Sequence, residues 1–163
     1  MEKYGCAWVL RERHILPAVD HTLGMLAGAK IFSKLDATLG FWQIPLSDES
    51  KLLTTFITPF GRYAFNRLPF GISSAPEHFQ RRMFQMLEGC AGTVCHTDDI
   101  LVYGENKTQH DERLRQVLRK LKEEGLTLNR EKCEFAKDSM MFLGHCVTVD
   151  GVTPDPGKIK AIQ

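Results

Sequence analysis

At 163 residues and 43% hydrophobic composition the chain can bury one ordinary core, and its length favours a single domain over two. Lys and Arg number 21 against 20 Asp and Glu, a formal charge of +1, so a whole-surface field for gripping polynucleotide is excluded and any such contact must be local. The five cysteines are scattered without a CxxC pair, and no stretch has the pattern of a signal peptide or membrane span, which predicts a soluble, intracellular chain with reduced thiols.

Pro17 opens a short helical pattern with Val19, Leu23 and Leu26 on one face, closed by Gly28. Ile31 to Asp36 then alternates like a strand and leaves Asp36 near its end. The stretch from Trp42 to Phe70 is rich in Thr, Phe, Ile and Tyr and is broken at Pro45, Pro59-Phe60-Gly61 and Pro69, so several short strands are expected. Ser74, followed by Pro76 and Glu77, starts a helix whose Phe79, Met83 and Leu87 recur every four residues until Gly89. Thr93 to His96 and Ile100 to Tyr103 flank Thr97-Asp98-Asp99, the pattern of a hairpin with acidic residues at its tip.

Thr108 and Asp111 resemble a capping box for the helix carrying Leu114, Val117, Leu118 and Leu121, which ends at Gly125. Met140 to Val149 reads as one strand that turns at Asp150-Gly151 into Val152 and Thr153. Asp155-Pro156 begins a last helix with Ile159 and Ile162 on its apolar face. The order predicts an α+β fold, a mainly antiparallel sheet with helices packed on one face.

Two adjacent aspartates at a hairpin tip and a third at another strand end could converge into an oxygen-rich site for hard divalent cations. Magnesium takes one or two carboxylates plus substrate phosphates, and two such ions about 3.5–4 Å apart can clamp an in-line phosphoryl transfer. An Asp-Asp pair taken alone is also ordinary solvated turn chemistry. The surrounding residues separate the two readings.

Phe32-Ser33-Lys34-Leu35-Asp36-Ala37-Thr38-Leu39-Gly40-Phe41-Trp42-Gln43-Ile44 resembles the first catalytic motif of gypsy-class reverse transcriptases. Leu68-Pro69-Phe70-Gly71-Ile72-Ser73-Ser74-Ala75-Pro76, running into Phe79-Gln80, is similar to their second motif, and Thr97-Asp98-Asp99-Ile100-Leu101-Val102-Tyr103 to their paired-aspartate motif. Gly125 to Asn129 through Lys132-Cys133, and Phe142-Leu143-Gly144-His145, resemble the next two. The resemblance covers the chain from about His14 onward.

What the resemblance implies is a right-hand polymerase palm with part of the fingers, the reverse transcriptase domain of a gypsy-like retrotransposon polyprotein, truncated at both ends of residues 1–163 with thumb, ribonuclease H and integrase absent. The implied activity is RNA-directed DNA polymerisation, which adds deoxynucleotides to a primer 3′ end on an RNA or DNA template by two-metal phosphoryl transfer. Asp36, Asp98 and Asp99 would be the catalytic and metal carboxylates for two magnesium ions, with manganese as a substitute. Ala37, Phe41, Phe70, Gly71 and Lys132 would face the deoxynucleoside triphosphate, with Phe41 beneath its sugar and Lys132 near the leaving pyrophosphate. Phe142, Leu143, Gly144 and His145 would form a strand holding the primer end, and Arg81 would track phosphate. Other polyprotein domains and a cytoplasmic, particle-associated location with access to the nucleus are implied as well, without membrane contact.

Two features depart from the family pattern. His96 stands where an aromatic residue is usual, and is expected to be a buried, hydrogen-bonded histidine. Met1 to Leu10 does not resemble the basic fingers segment. Two rival functions follow: a non-catalytic or weakly nucleic-acid-binding remnant of a decayed element, and a palm-type cyclase, against which the segment from Phe142 to His145 argues.

Overall fold

A computed structural model describes residues 19–154 of the chain. Pro17, Cys6, the segment Met1 to Leu10 and the helix expected from Asp155 lie outside the described residues. The elements in chain order are α1 (Val19–Gly24), β1 (Ile31–Asp36), a 3-10 turn (Gly40–Gln43), α2 (Asp48–Leu53), β2 (Phe56–Thr58), β3 (Gly61–Tyr63), α3 (Ala75–Leu87), β4 (Thr93–His96), β5 (Asp99–Gly104), α4 (Lys107–Glu123), β6 (Glu134–Lys137), β7 (Ser139–Phe142), β8 (His145–Thr148) and β9 (Gly151–Pro154).

The central sheet has the order β4-β5-β1-β6 and is antiparallel throughout. Successive side chains of a strand point to opposite faces, and β1 and β5 divide their apolar residues accordingly. Leu35, Ile100 and Val102 join Phe79, Met83, Val117 and Leu121 in a core beneath α3 and α4. Phe32, Val94 and Leu101 face the other way, into a second core with Leu23, Leu26, Met140, Phe142 and Val147. The helices α3 and α4 therefore cover one face, as the sequence predicts, and the β7-β8-β9 sheet covers the other. Each fully buried large side chain contributes on the order of 1.5–3 kcal/mol, so the central sheet is anchored from both sides.

A polar line crosses the first core. Ser33 and His110 are fully buried; Ser33 Oγ lies 2.8 Å from His110 Nε2, and His110 Nδ1 lies 3.0 Å from Asp111 Oδ1. Ser33 Oγ also accepts from the backbone N–H of Ala136 at 2.9 Å. The Asp111 carboxylate can only accept, which places a proton on Nδ1, and Nε2 of the neutral ring then accepts from the Ser33 hydroxyl. Ala136 has φ 48 at a bulge in β6, so its N–H leaves the ladder for this serine. The line joins β1, α4 and β6.

Four expectations are corrected. The Trp42–Phe70 stretch yields a single hairpin, β2-β3, plus the helix α2, whose Ser47 cap accepts from Ser50 N at 3.2 Å. Leu52 and Leu53 on α2 are exposed, so no apolar stripe betrayed it. The α4 cap is Asn106, which accepts from Gln109 N at 2.9 Å, two residues before the Thr108 box. The strand expected over Met140 to Val149 is two strands joined at Leu143-Gly144, both at positive φ (51 and 74), the geometry of a tight hairpin turn. The helix before β1 ends at Gly24 rather than Gly28.

Candidate active site

Asp36 and Asp99 are the last register pair of β1 and β5, directly opposite one another. Alternation puts Lys34 on their face, and its Nζ lies 3.3 Å from Asp99 Oδ1. Asp98 sits in the turn between β4 and β5, and its carbonyl accepts from Ala37 N at 3.0 Å, which ties the turn to the residue after Asp36. The three carboxylates thus converge at one end of the sheet. Desolvation first, and then the charges of Asp36 and Asp99, push the Asp98 carboxyl above its ordinary range, with Lys132 acting in the opposite direction.

The turn is held from below by α3. Gln80 is fully buried; its amide donates to Cys95 O at 3.0 Å and accepts from Thr97 N at 2.6 Å. Thr97 itself has φ 52, a conformation uncommon for a non-glycine residue. Cys95 is buried, and desolvation together with Asp98 and Asp99 pushes its thiol up to about 12.

On the other side, Asn129 N donates to Asp36 O at 2.9 Å, and the turn that follows brings Lys132 Nζ to 3.8 Å from Asp36 Oδ2. The Gln43 side chain clamps this region to the 3-10 turn by donating to Thr38 O and Thr127 O and accepting from Thr127 N. Phe41 is half-buried, its ring edge-on to Phe70 at 5.3 Å and to Phe79 at 5.4 Å. Carboxylates, a lysine and an aromatic shelf thus surround one sheet end.

Residues 8–147 match the family described as reverse transcriptase (RNA-dependent DNA polymerase). The chain belongs to the reverse transcriptase family. Among curated relatives it is 39% identical over 153 residues to the retrovirus-related Pol polyprotein from transposon 297 of Drosophila melanogaster, a match spanning 93% of this chain and 14% of that one. To the gypsy Pol polyprotein of the same fly it is 36% identical over 154 residues, covering 93% and 15%. To the enzymatic polyprotein of Cauliflower mosaic virus it is 38% identical over 130 residues, covering 79% and 19%. The chain therefore spans about a seventh to a fifth of the length of these relatives.

A foamy viral protease-reverse transcriptase solved with an RNA/DNA hybrid is similar in structure, at TM-score 0.75 and 28% identity, over 88% of this chain and 20% of that one. The form solved with double-stranded DNA gives TM-score 0.78 at 27% identity, over 91% and 27%. The α+β polymerase fold expected from the motifs is the fold of this reverse transcriptase domain.

Not every residue singled out in the sequence meets the carboxylates. Asp36, Asp98, Asp99, Ala37 and Lys132 do, and Phe41 and Phe70 contact each other beside them. Gly71 is at φ 90 with open space around its Cα, so positive φ is what requires glycine there. Arg81 stands on α3 with its guanidinium 3.4 Å from His78 Nδ1, and its assignment to phosphate rests on the family resemblance. Phe142 ends β7 and is buried in the second core, Leu143 and Gly144 form the hairpin turn, and His145 opens β8 opposite Phe142, with its Nδ1 donating to Leu143 O at 3.1 Å, so the expected single strand is a strand-turn-strand. His96 pairs with Asp99 across the hairpin and is half-buried, and its Nδ1 has no hydrogen-bond partner among the described residues.

Among the described residues no group of three or more His, Cys, Asp and Glu is placed to enclose a metal ion by itself. Magnesium does not demand such a cage, since one or two carboxylates and substrate phosphates complete its octahedron. Desolvation raises the Asp98 carboxyl most, and the neighbouring charges of Asp36 and Asp99 add to it; a divalent cation would relieve that second contribution. The donor set fits the ion.

Sequence reasoning missed four residues that shape the site. Lys34 was legible from strand alternation alone, two positions before Asp36. Gln80, Gln43 and Gly40 act through tertiary contacts, for which local pattern carries no signal.

Proposed function

We propose that this chain is the catalytic core of an RNA-directed DNA polymerase that extends a DNA primer by two-metal phosphoryl transfer. The observation that carries the reading is the convergence of Asp36, Asp98 and Asp99 through the β1-β5 register and the Ala37–Asp98 hydrogen bond. The foamy viral complexes with RNA/DNA hybrid and with double-stranded DNA support a template-primer as the polynucleotide partner.

In this reading Asp36 and Asp98 hold magnesium, or manganese in its place, and Asp99 supplies charge beside them. The bound ions would activate the primer 3′-hydroxyl and neutralise the triphosphate in an in-line displacement. Lys132, whose ammonium lies 3.8 Å from Asp36 Oδ2, faces the leaving pyrophosphate. Phe41 and Phe70 form the surface on which the incoming sugar rests, with Ala37 and Gly71 offering backbone. Leu143, Gly144 and His145 present the β7-β8 turn to the primer end. Arg81 contacts phosphate from α3.

The test is magnesium-dependent extension of a DNA primer on an RNA template by the chain placed in the corresponding segment of a related polyprotein. Wild type extends, whereas Asp36→Asn and Asp98→Asn lose activity by about a thousandfold or more, because a metal ligand is weakened while the fold is kept. Near-wild-type extension by either variant overturns the assignment.

A further inference from the structure

We infer that Gly40 is a positioning residue that sets the direction of the Asp98 carboxylate, because a side chain there would occupy the space the carboxylate now fills. This rests on the polymerase reading of Asp98. A Cβ built on Gly40 would meet Asp98 Oδ1 at 2.6 Å and the Phe79 ring at 2.6 Å, both well inside contact distance. Gly40 is buried and its φ is not in the left-handed region, so what requires glycine here is space. The residue before it, Leu39, is bent to φ 48 and ψ 49 with its side chain left 65% exposed. Such a conformation is costly for leucine and is kept where surrounding structure imposes it. Here it brings the glycine under the paired-aspartate turn.

The two neighbours of that Cβ are not equally free to move. Phe79 is 1% exposed, lies in the first core and is edge-on to Phe41 at 5.4 Å, so displacing its ring disturbs packing on every side. The Asp98 backbone is fixed as well, through Ala37 and through the grip of Gln80 on Thr97. What can give is the Asp98 side chain. A methyl group at position 40 therefore rotates the carboxylate away from Asp36 and Asp99 while leaving the turn in place.

The probe is manganese alone, titrated into the 163-residue chain and followed by electron paramagnetic resonance of the free ion, with circular dichroism and thermal melting as fold controls. Wild type binds, Asp98→Asn marks the level of a lost ligand, and Gly40→Ala falls at least about tenfold in affinity towards that level with its spectrum unchanged. The double variant Gly40→Ala/Phe79→Leu, which opens room on the ring side, recovers part of the lost affinity relative to Gly40→Ala. A folded Gly40→Ala chain that binds manganese like wild type overturns the inference and leaves the metal site standing. If Gly40→Ala does not fold, the comparison is between Phe79→Leu and the double variant, and equal manganese affinity there overturns it. Failure of the wild-type chain to bind manganese both alone and with a deoxynucleoside triphosphate present to supply the phosphate ligands removes the metal-site reading itself and this inference with it.

Discussion

Gln80 accepts a hydrogen bond from the backbone N–H of Thr97 at 2.6 Å, from a fully buried side chain on α3 to the turn that carries Asp98. The same amide donates to Cys95 O at 3.0 Å, so a single residue satisfies two backbone groups on either side of His96. A backbone N–H left unpaired in such a place costs about 1–3 kcal/mol. Thr97, at φ 52, is held as well by its own hydroxyl, which donates to His96 O at 2.7 Å, and by Cys95 Sγ, which donates to Thr97 O at 3.6 Å, but its N–H depends on Gln80.

Replacing this side chain by an apolar one of similar size should separate support of the turn from packing. Gln80→Leu is expected to lower unfolding stability by about 2 kcal/mol and to reduce the extension rate by about tenfold or more in the folded fraction. Denaturant unfolding and single-turnover extension check the two parts. A variant that loses stability but extends at the wild-type rate shows that the turn holds itself.

Ser33→Ala removes the hydroxyl shared by His110 and Ala136 and leaves the buried His110 Nε2 and the Ala136 backbone N–H without that partner. The expected loss is about 1–3 kcal/mol. Because β1 ends at Asp36, three residues beyond Ser33, hydrogen exchange of the β1-β6 amides should accelerate before that of β4. Unchanged stability would mean that water replaces the hydroxyl.

The sequence disclosed what local periodicity and motif order can disclose. The strand to Asp36, the acidic hairpin, α3 and α4 follow from alternation and four-residue apolar spacing, and they deliver the carboxylates to one place. What escaped it depends on tertiary context. β6 is exposed at all four residues and has no apolar alternation to reveal it, yet it pairs with β1 and gives Ser33 a partner. Leu143 at positive φ hid a turn inside an apparently continuous apolar strand, since leucine is not a turn residue by propensity. The contact of Gly40 with Asp98 joins residues far apart in the chain, and nothing in the neighbouring sequence announces it.

Thiol chemistry offers a check on the buried side of the site. Cys95 is buried with its thiol pushed up to about 12, so in neutral or mildly basic buffer it stays in the unreactive thiol form. Burial also raises Cys90, whereas Cys133 and Cys146 are half-buried. Iodoacetamide followed by peptide mass mapping should label Cys133 and Cys146 well before Cys90 and Cys95, with Cys95 reacting only after denaturant. Early labelling of Cys95 in the folded chain would contradict the packing beneath the aspartate turn.

Phe41 provides the sharpest test of substrate placement, because its ring has two roles that a single substitution can separate. It is wedged edge-on between Phe70 at 5.3 Å and Phe79 at 5.4 Å, and such aromatic pairs contribute about 0.5–1.5 kcal/mol each beyond area burial. Phe41→Val should therefore destabilise the chain by about 2–3 kcal/mol, somewhat less than full truncation of a buried phenylalanine. That loss lowers incorporation of every nucleotide alike and cancels in a ratio. If the ring also stands where a ribose 2′-hydroxyl would go, ribonucleotide incorporation relative to deoxynucleotide rises by about tenfold or more, since steric exclusion of one small group is worth about 1–3 kcal/mol. Steady-state incorporation of matched ribo- and deoxynucleoside triphosphates by one folded Phe41→Val preparation measures that ratio directly. A ratio equal to that of wild type assigns Phe41 to packing alone and moves sugar discrimination to Phe70, whose 60% exposed ring is the next surface along the same shelf.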